Sequence, residues 1–188
     1  MFFVVFGNLF QYDWCYFFGI ILLYQRSKIM TFLKFVFAMF LSFLPGLVGV
    51  VVTPISTGGN LWYNTLNVSS LTPAGWVFSV VWIVLYSLIG LALFMVIQQK
   101  QFDGKYEKKN AYVLFAINLV LNALWSFSFF GAQAPEAALV ILTALIITVL
   151  FMARAFFKIS RTAFWLIVPY ILWLMFAFYL NGMIIYLN

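Results

Sequence analysis

Histidine is absent from this sequence, and cysteine occurs once, at Cys15. With one thiol and no imidazole, neither an intrachain disulfide nor a zinc or haem-histidine site can be built. Acidic side chains are nearly as scarce: four stand against ten Lys and Arg, and charged residues make up only 7% of the 188. A soluble domain averages about 25%. So few charges cannot coat a surface facing water, which excludes a soluble enzyme, a disordered chain and a nucleic-acid binder together. The net charge of +6 does not point to nucleic acid, because the basic residues fall in short clusters between apolar runs. Residues 35–99, 110–135, 137–153 and 162–188 contain no Asp, Glu, Lys or Arg at all. Transporters coupled to protons or ions need ionisable groups at membrane depth, so that class is excluded too.

What remains is 66% apolar and 22% aromatic, with a mean hydropathy of +1.10. That composition belongs to a polytopic membrane protein. A helix needs about 20 apolar residues to cross the hydrocarbon core, and five segments qualify: 32–53, 75–97, 111–131, 136–154 and 163–187. The runs are continuously apolar rather than alternating, so helices are expected over a barrel. The fold class is therefore an all-α membrane protein, a bundle of five transmembrane helices. Arg26, Lys28 and Lys34 precede the first span. Lys100, Lys105, Lys108 and Lys109 lie between the second and third, and Arg154, Lys158 and Arg161 between the fourth and fifth. Five spans put all ten on one face, with Glu136 alone on the other. The positive-inside rule then places the N-terminal flank in the cytoplasm.

Residues 1–29 stand apart from the 30–188 domain. Met1–Tyr24 is apolar but interrupted by Asn8, Gln11 and Asp13, and a central Asp opposes insertion by roughly 2.5–3.5 kcal/mol. A signal-like segment, an interfacial helix, a sixth span and upstream sequence before a natural start at Met30 all stay open.

The connection 53–75 is uncharged, contains Gly58, Gly59, Gly75, Pro54 and Pro73, and carries the pair Trp62-Tyr63. A structureless connection this long is usually a functional lid or disordered, and Leu61, Trp62, Tyr63, Leu66 and Leu71 argue against disorder. An interfacial aromatic belt and a lid over a pocket are the two readings. Inside the spans, Phe78, Trp82, Tyr86 and Gly90 recur at i, i+4, as do Asn118, Asn122 and Ser126 with Trp125 beside them, and Pro169, Trp173, Ala177 and Asn181. Trp76 and Trp165 suit an interfacial belt, whereas Trp82 and Trp173 lie too deep for one. Amides and small residues also act as interhelical glue. If the three rows face one another, they line an apolar, flat-walled cavity capped by 53–75, suited to a planar tetrapyrrole or a sterol.

These residues resemble the TspO/MBR family, the tryptophan-rich sensory or translocator proteins. The likeness runs through Trp62-Tyr63-Asn64-Thr65-Leu66, Thr72-Pro73-Ala74-Gly75-Trp76-Val77-Phe78, Val81-Trp82, Leu85-Tyr86, Gly90 and Ala92. It continues through Leu121-Asn122, Trp125-Ser126, Phe129-Phe130-Gly131, Pro169-Tyr170, Trp173, Ala177, Leu180-Asn181 and Asn188. The chain departs from the family at Val68-Ser69, where a Lys-Pro pair is usual, at Leu71 (Trp), at Ala74 (Pro) and at Asn118 (often Gln). After Tyr186 come only Leu187 and Asn188, so the family's sterol-associated pattern, which wants a following basic residue, is not met.

The resemblance implies a homodimeric five-helix bundle that binds protoporphyrin IX or a related tetrapyrrole, and drug-like isoquinoline-carboxamides or benzodiazepines. No cofactor is required. Carried over by position, the pocket would use Trp62, Tyr63, Trp82, Asn118, Asn122, Trp125, Ser126, Trp173 and Ala177. The function expected is tetrapyrrole sensing, transport or scavenging. A light- and oxygen-dependent porphyrin-degrading activity using Trp82 and Trp173 is the alternative, and a structural or assembly subunit the second. The expected location is a bacterial cell membrane, with the mitochondrial outer membrane as the other family setting.

Overall fold

The computed structural model describes the backbone of residues 2–57, 62–99 and 104–188 and the side chains of 25–52, 62–99 and 104–188. The described chain is helical throughout its regular structure: α1 (Phe2–Thr57), α2 (Trp62–Thr65), α3 (Gly75–Gln98), α4 (Lys105–Ser126), α5 (Pro135–Ile159) and α6 (Arg161–Leu187). Five stretches are long and apolar enough to cross a membrane: Gln25–Val52, Gly75–Gln98, Lys105–Gly131, Pro135–Ile159 and Arg161–Leu187. They match the five spans read from the sequence. The protein is an integral, multi-pass membrane protein in a lipid bilayer.

The helix ends follow from local chemistry. α5 opens with Pro135, whose missing N–H costs nothing at that position, carries Glu136 in its first turn and Lys158 in its last, both favourable to the helix dipole. α6 starts at Ser160, whose Oγ accepts from the Ala163 N–H at 3.3 Å. At its end α4 widens into a π-helical turn, Phe127–Gly131, closed by the Ala132 N–H on the Phe127 carbonyl at 2.8 Å. Gln133, at φ 54°, then turns the chain into α5.

Contacts divide the chain into residues 1–36 and 37–188, and everything that follows concerns the second unit. There α4 packs on α5, α5 on α6, and α6 on α3. The latter part of α1 meets α3 where both backbones are bare: a Cβ added at Gly90 would lie 2.7 Å from Met39 Sδ, and one at Gly46 would lie 2.9 Å from the Tyr86 ring. Ile89, Val96, Leu142, Leu145, Val149, Met152, Phe156, Ile167 and Leu174 fill the interior, while Val140, Leu150, Phe151, Leu172 and Met175 face outward. Trp76 and Trp165 are exposed near the starts of α3 and α6. Lys108 Nζ donates to the Gln99 carbonyl at the end of α3, α4 and α5 pack along each other, and Ser160 alone separates α5 from α6. The α3 C-terminus, Lys105, Lys108 and Lys109, and the α5–α6 junction therefore share one end.

Two sequence expectations change in detail. The connection 53–75 is not irregular throughout: α1 continues to Thr57, Trp62–Thr65 forms a helical turn, and the irregular part described is 66–74. Gly58–Leu61 and Lys100–Asp103, and the side chains of 1–24 and 53–61, lie outside the described residues, so the reading of Met1–Tyr24 and of Leu61 rests there. The expected boundary after residue 29 falls within α1. Finally, the row Pro169, Trp173, Ala177 and Asn181 is not the inner face of α6. That face is Ala163, Ile167, Tyr170, Leu174, Ala177, Asn181 and Ile184, with Pro169 exposed and Trp173 half-buried. Strict i+4 steps drift by about 40° each on a helix of 3.6 residues per turn. Three such steps carry a row from the outer surface into the core.

Candidate functional site

Two layers of side chains meet where α3, α4 and α6 converge. The deeper one is polar. The Tyr86 hydroxyl donates to Asn122 Oδ1 at 3.0 Å, Asn122 Nδ2 donates to the Tyr170 hydroxyl at 2.8 Å, and Tyr170 donates to Asn118 Oδ1 at 2.9 Å. The four side chains are 6%, 1%, 0% and 2% exposed in the order Tyr86, Asn122, Tyr170, Asn118. Each link joins two different helices, so the directional chain Tyr86–Asn122–Tyr170–Asn118 ties α3 to α4 and α4 to α6. An amide or hydroxyl in an apolar interior is stable only when paired, and these residues pair one another.

The second layer is aromatic. Trp82 stacks on Tyr86 with ring centroids 5.1 Å apart and lies 6.3 Å from Tyr170 and 6.5 Å from Trp125. Trp125 stacks on Phe129 at 5.5 Å, and its indole N–H donates to Asn181 Oδ1 at 3.3 Å. Asn181 Nδ2 in turn donates to the Pro135 carbonyl at 2.9 Å, so one amide clamps α4, α5 and α6 around the indole. The π turn is what presents Phe129 and Phe130 together toward α2: Trp62 meets Phe129 edge-on at 5.7 Å, and Tyr63 sits 6.3 Å from Phe129 and 6.0 Å from Phe130. Extra-wide turns of this kind are frequent at functional sites. Burial pushes the Tyr63 hydroxyl above its ordinary value, so it remains a donor at neutral pH.

Of the residues expected to line a pocket, Trp62, Tyr63, Trp82 and Trp125 thus fall in one continuous ring cluster. Asn118 and Asn122 lie beneath it, already engaged by the tyrosines. Ser126 is buried beside α1, with a Cβ at Gly49 falling 3.9 Å from its Oγ. Trp173 packs on Phe78 and Phe176 at 5.8 and 5.6 Å. Ala177 lies in the main core. Phe129 and Tyr170 stood in neither the three rows nor the carried-over pocket set, whereas Tyr86 and Asn181 stood in the rows alone. Phe129 follows Trp125 at i+4, which was the available signal.

The segment 66–74 leaves this cluster at Leu66, which packs against it, and is fastened to the end of α6. The Asn67 N–H donates to Asn188 Oδ1 at 2.9 Å, Asn188 Nδ2 donates back to the Asn67 carbonyl at 3.0 Å, and Asn67 Nδ2 reaches the Leu187 carbonyl at 3.4 Å. Ser69 Oγ lies 3.2 Å from the Tyr179 hydroxyl and also accepts the Leu71 N–H at 3.2 Å.

The sequence profile of the TspO/MBR family fits residues 35–187, from the α1 segment beneath Gly90 to the end of α6. The chain belongs to the TspO/MBR family. A tryptophan-rich protein TspO from Chlorobaculum tepidum is 41% identical over 147 residues, covering 76% of this chain and 88% of that protein. The tryptophan-rich sensory protein of Cereibacter sphaeroides is 34% identical over 140 residues, 72% and 82% of the two chains. The translocator protein of Bos taurus is 34% identical over 142 residues, 73% and 82%. Against the TspO/MBR pattern, the serine at position 69 has a local consequence: its hydroxyl is what meets Tyr179.

The Asn67–Asn188 fastening makes a first prediction. Asn188→Ala should speed hydrogen exchange at the Asn67 amide about fivefold, the loss of roughly 1 kcal/mol for an exposed hydrogen-bond pair. Amides around Asn122 should be unaffected. Equal exchange in both proteins would mean that 66–74 is held by something other than this pair.

Proposed function

We propose that this TspO/MBR protein binds a tetrapyrrole such as protoporphyrin IX, as a sensing, transport or scavenging protein. The observation that carries this is the convergence of Trp62, Tyr63, Trp82, Trp125 and Phe129 from the 62–65 turn, α3, α4 and the π turn. Flat indole and phenol faces suit a planar macrocycle, at about 0.5–1.5 kcal/mol for each aromatic contact beyond area burial. The nearby polar groups of Tyr63 and Asn67 suit its carboxylates. In this structure the rings contact one another, so a macrocycle would enter by lifting 62–74 away from Phe129 and Phe130, which would make that segment a lid. Two TspO/MBR relatives are named for sensing and for translocation, and this reading is consistent with both. The basic end would face the cytoplasm, the membrane would be that of a bacterial cell, and a homodimer would be the working form.

The test is a dark titration of the detergent-purified protein with protoporphyrin IX, followed by quenching of tryptophan fluorescence. Saturable, near-stoichiometric quenching is expected, with an affinity about tenfold lower in Trp82→Phe and in Tyr63→Ala. Linear quenching identical in all variants would mean partition into the micelle and would end the proposal.

One further observation favours a light-driven activity on the same ligand. Trp82 has three oxidisable rings around it, with centroids 5.1 Å away at Tyr86, 6.3 Å at Tyr170 and 6.5 Å at Trp125. In such a reaction the photoexcited macrocycle would itself be oxidised, oxygen taking the electrons it loses and adding to it, with Trp82 and Trp173 as redox-active neighbours. Illumination of the titrated sample tells the readings apart. A binder returns intact porphyrin, whereas a degrading enzyme bleaches it to a defined product that Trp82→Phe or Trp173→Phe suppresses.

A further inference from the structure

At the opposite, basic end of the bundle, α4 carries a shallow recess, open along its outer side, that the ring cluster does not use. It measures about 570 Å³ and is lined by Lys105, Lys108, Lys109, Tyr112, Val113 and Ala116, all but Lys108 exposed. The spacing explains how one helix builds it: 105, 109, 112 and 116 fall on one stripe, with 108 and 113 flanking it. Three ammonium groups sit at the mouth, one of them, Lys108 Nζ, donating to the Gln99 carbonyl at the end of α3. A phenol and two apolar side chains form the floor. The only acidic residue among the described residues of this turn, Glu107, does not line the recess. Below the floor the outer face of α4 continues as Val113, Ile117, Val120 and Leu124, each between 42% and 58% exposed. Charge at the end of a membrane span, then a phenol, then an exposed apolar stripe is the order in which a phospholipid presents phosphate, glycerol and acyl chain.

We propose that this recess is a headgroup site for an anionic phospholipid of the bilayer. Lys105, Lys108 and Lys109 receive the phosphate, Tyr112 lies at glycerol depth, and an acyl chain runs along Val113, Ile117 and Val120. The occupant is a lipid rather than a soluble anion because the apolar floor and stripe have no use for a hydrophilic ligand. A basic recess beside transmembrane helices meets anionic headgroups at a local concentration that a free anion does not reach. The site is independent of any tetrapyrrole reading, since it stands at the other end of the helices.

Native mass spectrometry of the full chain, released from mixed phosphatidylglycerol–phosphatidylcholine micelles, tests it. The wild type should retain one phosphatidylglycerol in preference to phosphatidylcholine by about tenfold or more. Two variants should lose that preference: Lys105→Gln/Lys108→Gln/Lys109→Gln, which removes the charge, and Ala116→Trp, which fills an exposed floor position while keeping every charge. The control Arg154→Gln/Lys158→Gln/Arg161→Gln removes three charges from the same end outside the recess and should keep it. The proposal is overturned if the wild type shows no preference, if the control loses as much as the lysine variant, or if Ala116→Trp retains the lipid. Displacement of the lipid by millimolar inorganic phosphate would also overturn it, by making the occupant a soluble anion.

Discussion

Replacing Asn122 by leucine is expected to destabilise the folded bundle by about 1–2 kcal/mol, although leucine is the better residue for an apolar interior. The Tyr86 hydroxyl would lose the acceptor it holds at 3.0 Å, and Tyr170 would lose the donor at 2.8 Å. Tyr170 would still donate to Asn118, so one orphaned donor remains, that of Tyr86, at 6% exposure. Leaving one buried group unpaired costs about 1–3 kcal/mol, and interhelical hydrogen bonds in membranes reach about 1.7 kcal/mol in favourable cases. Removing the second partner should reverse much of the loss. Tyr86→Phe in the Asn122→Leu background is expected to recover more than half of it, because no donor is then stranded. Unfolding in mixed micelles, run as a double-mutant cycle, reads the coupling directly. A coupling near zero would show that the tyrosines and amides contribute packing alone. The same network argues that Asn122 serves the site by holding Tyr86 under Trp82. Tyr86→Phe alone should therefore disturb porphyrin affinity less than Trp82→Phe.

A larger loss is expected from Gly90→Val. A Cβ there would stand 2.7 Å from both Met39 Sδ and Ser42 Oγ and 3.2 Å from Met39 Cα. The Met39 thioether can swing aside. Ser42 is 0% exposed and its hydroxyl donates to the Met39 carbonyl at 2.8 Å, and the Met39 Cα is backbone. The α1 and α3 axes must therefore separate, and close approach through small residues is much of what holds membrane helices together. About 2–3 kcal/mol is the expected cost, at the upper end for overpacking a tight core. Gly90→Ala should cost less, because roughly 1 kcal/mol of improved helix propensity offsets part of the clash. Gly182→Ala, with nothing within 4 Å of its added Cβ, should be neutral or mildly stabilising. If Gly90→Val unfolds no more readily than Gly182→Ala, α1 is not seated on α3 through this contact.

Five spans and the likeness to TspO/MBR are legible in the amino-acid order, because both depend on signals carried along the chain. Spans follow from uninterrupted apolar length, and the likeness follows from ordered residues such as Trp62-Tyr63, Trp82, Asn122 and Trp173. The helical turn at Trp62–Thr65 is not legible there: four residues are too few for a periodic signal, and the flanking glycines and prolines read as irregular chain. The π turn at Phe127–Gly131 is equally hidden, since one extra residue per turn leaves no mark on composition.

Rows at i+4 identify the polar and aromatic residues of α4 correctly as an inner face, yet misplace Pro169 on α6. Tyr86 and Tyr170 show why. Tyr86 stands in the α3 row and Tyr170 in none, and only their hydrogen bonds with Asn122 make them partners. The sequence alone determined that this protein lives in a membrane and has five segments long and apolar enough to cross it, because hydrophobic length is a property of each segment separately. Tertiary structure alone decided which indole stacks on which phenol, and which amide each hydroxyl finds. It also decided that Asn67 meets Asn188. Those pairings depend on the rotation of one helix about its axis relative to another, and no single helix encodes it.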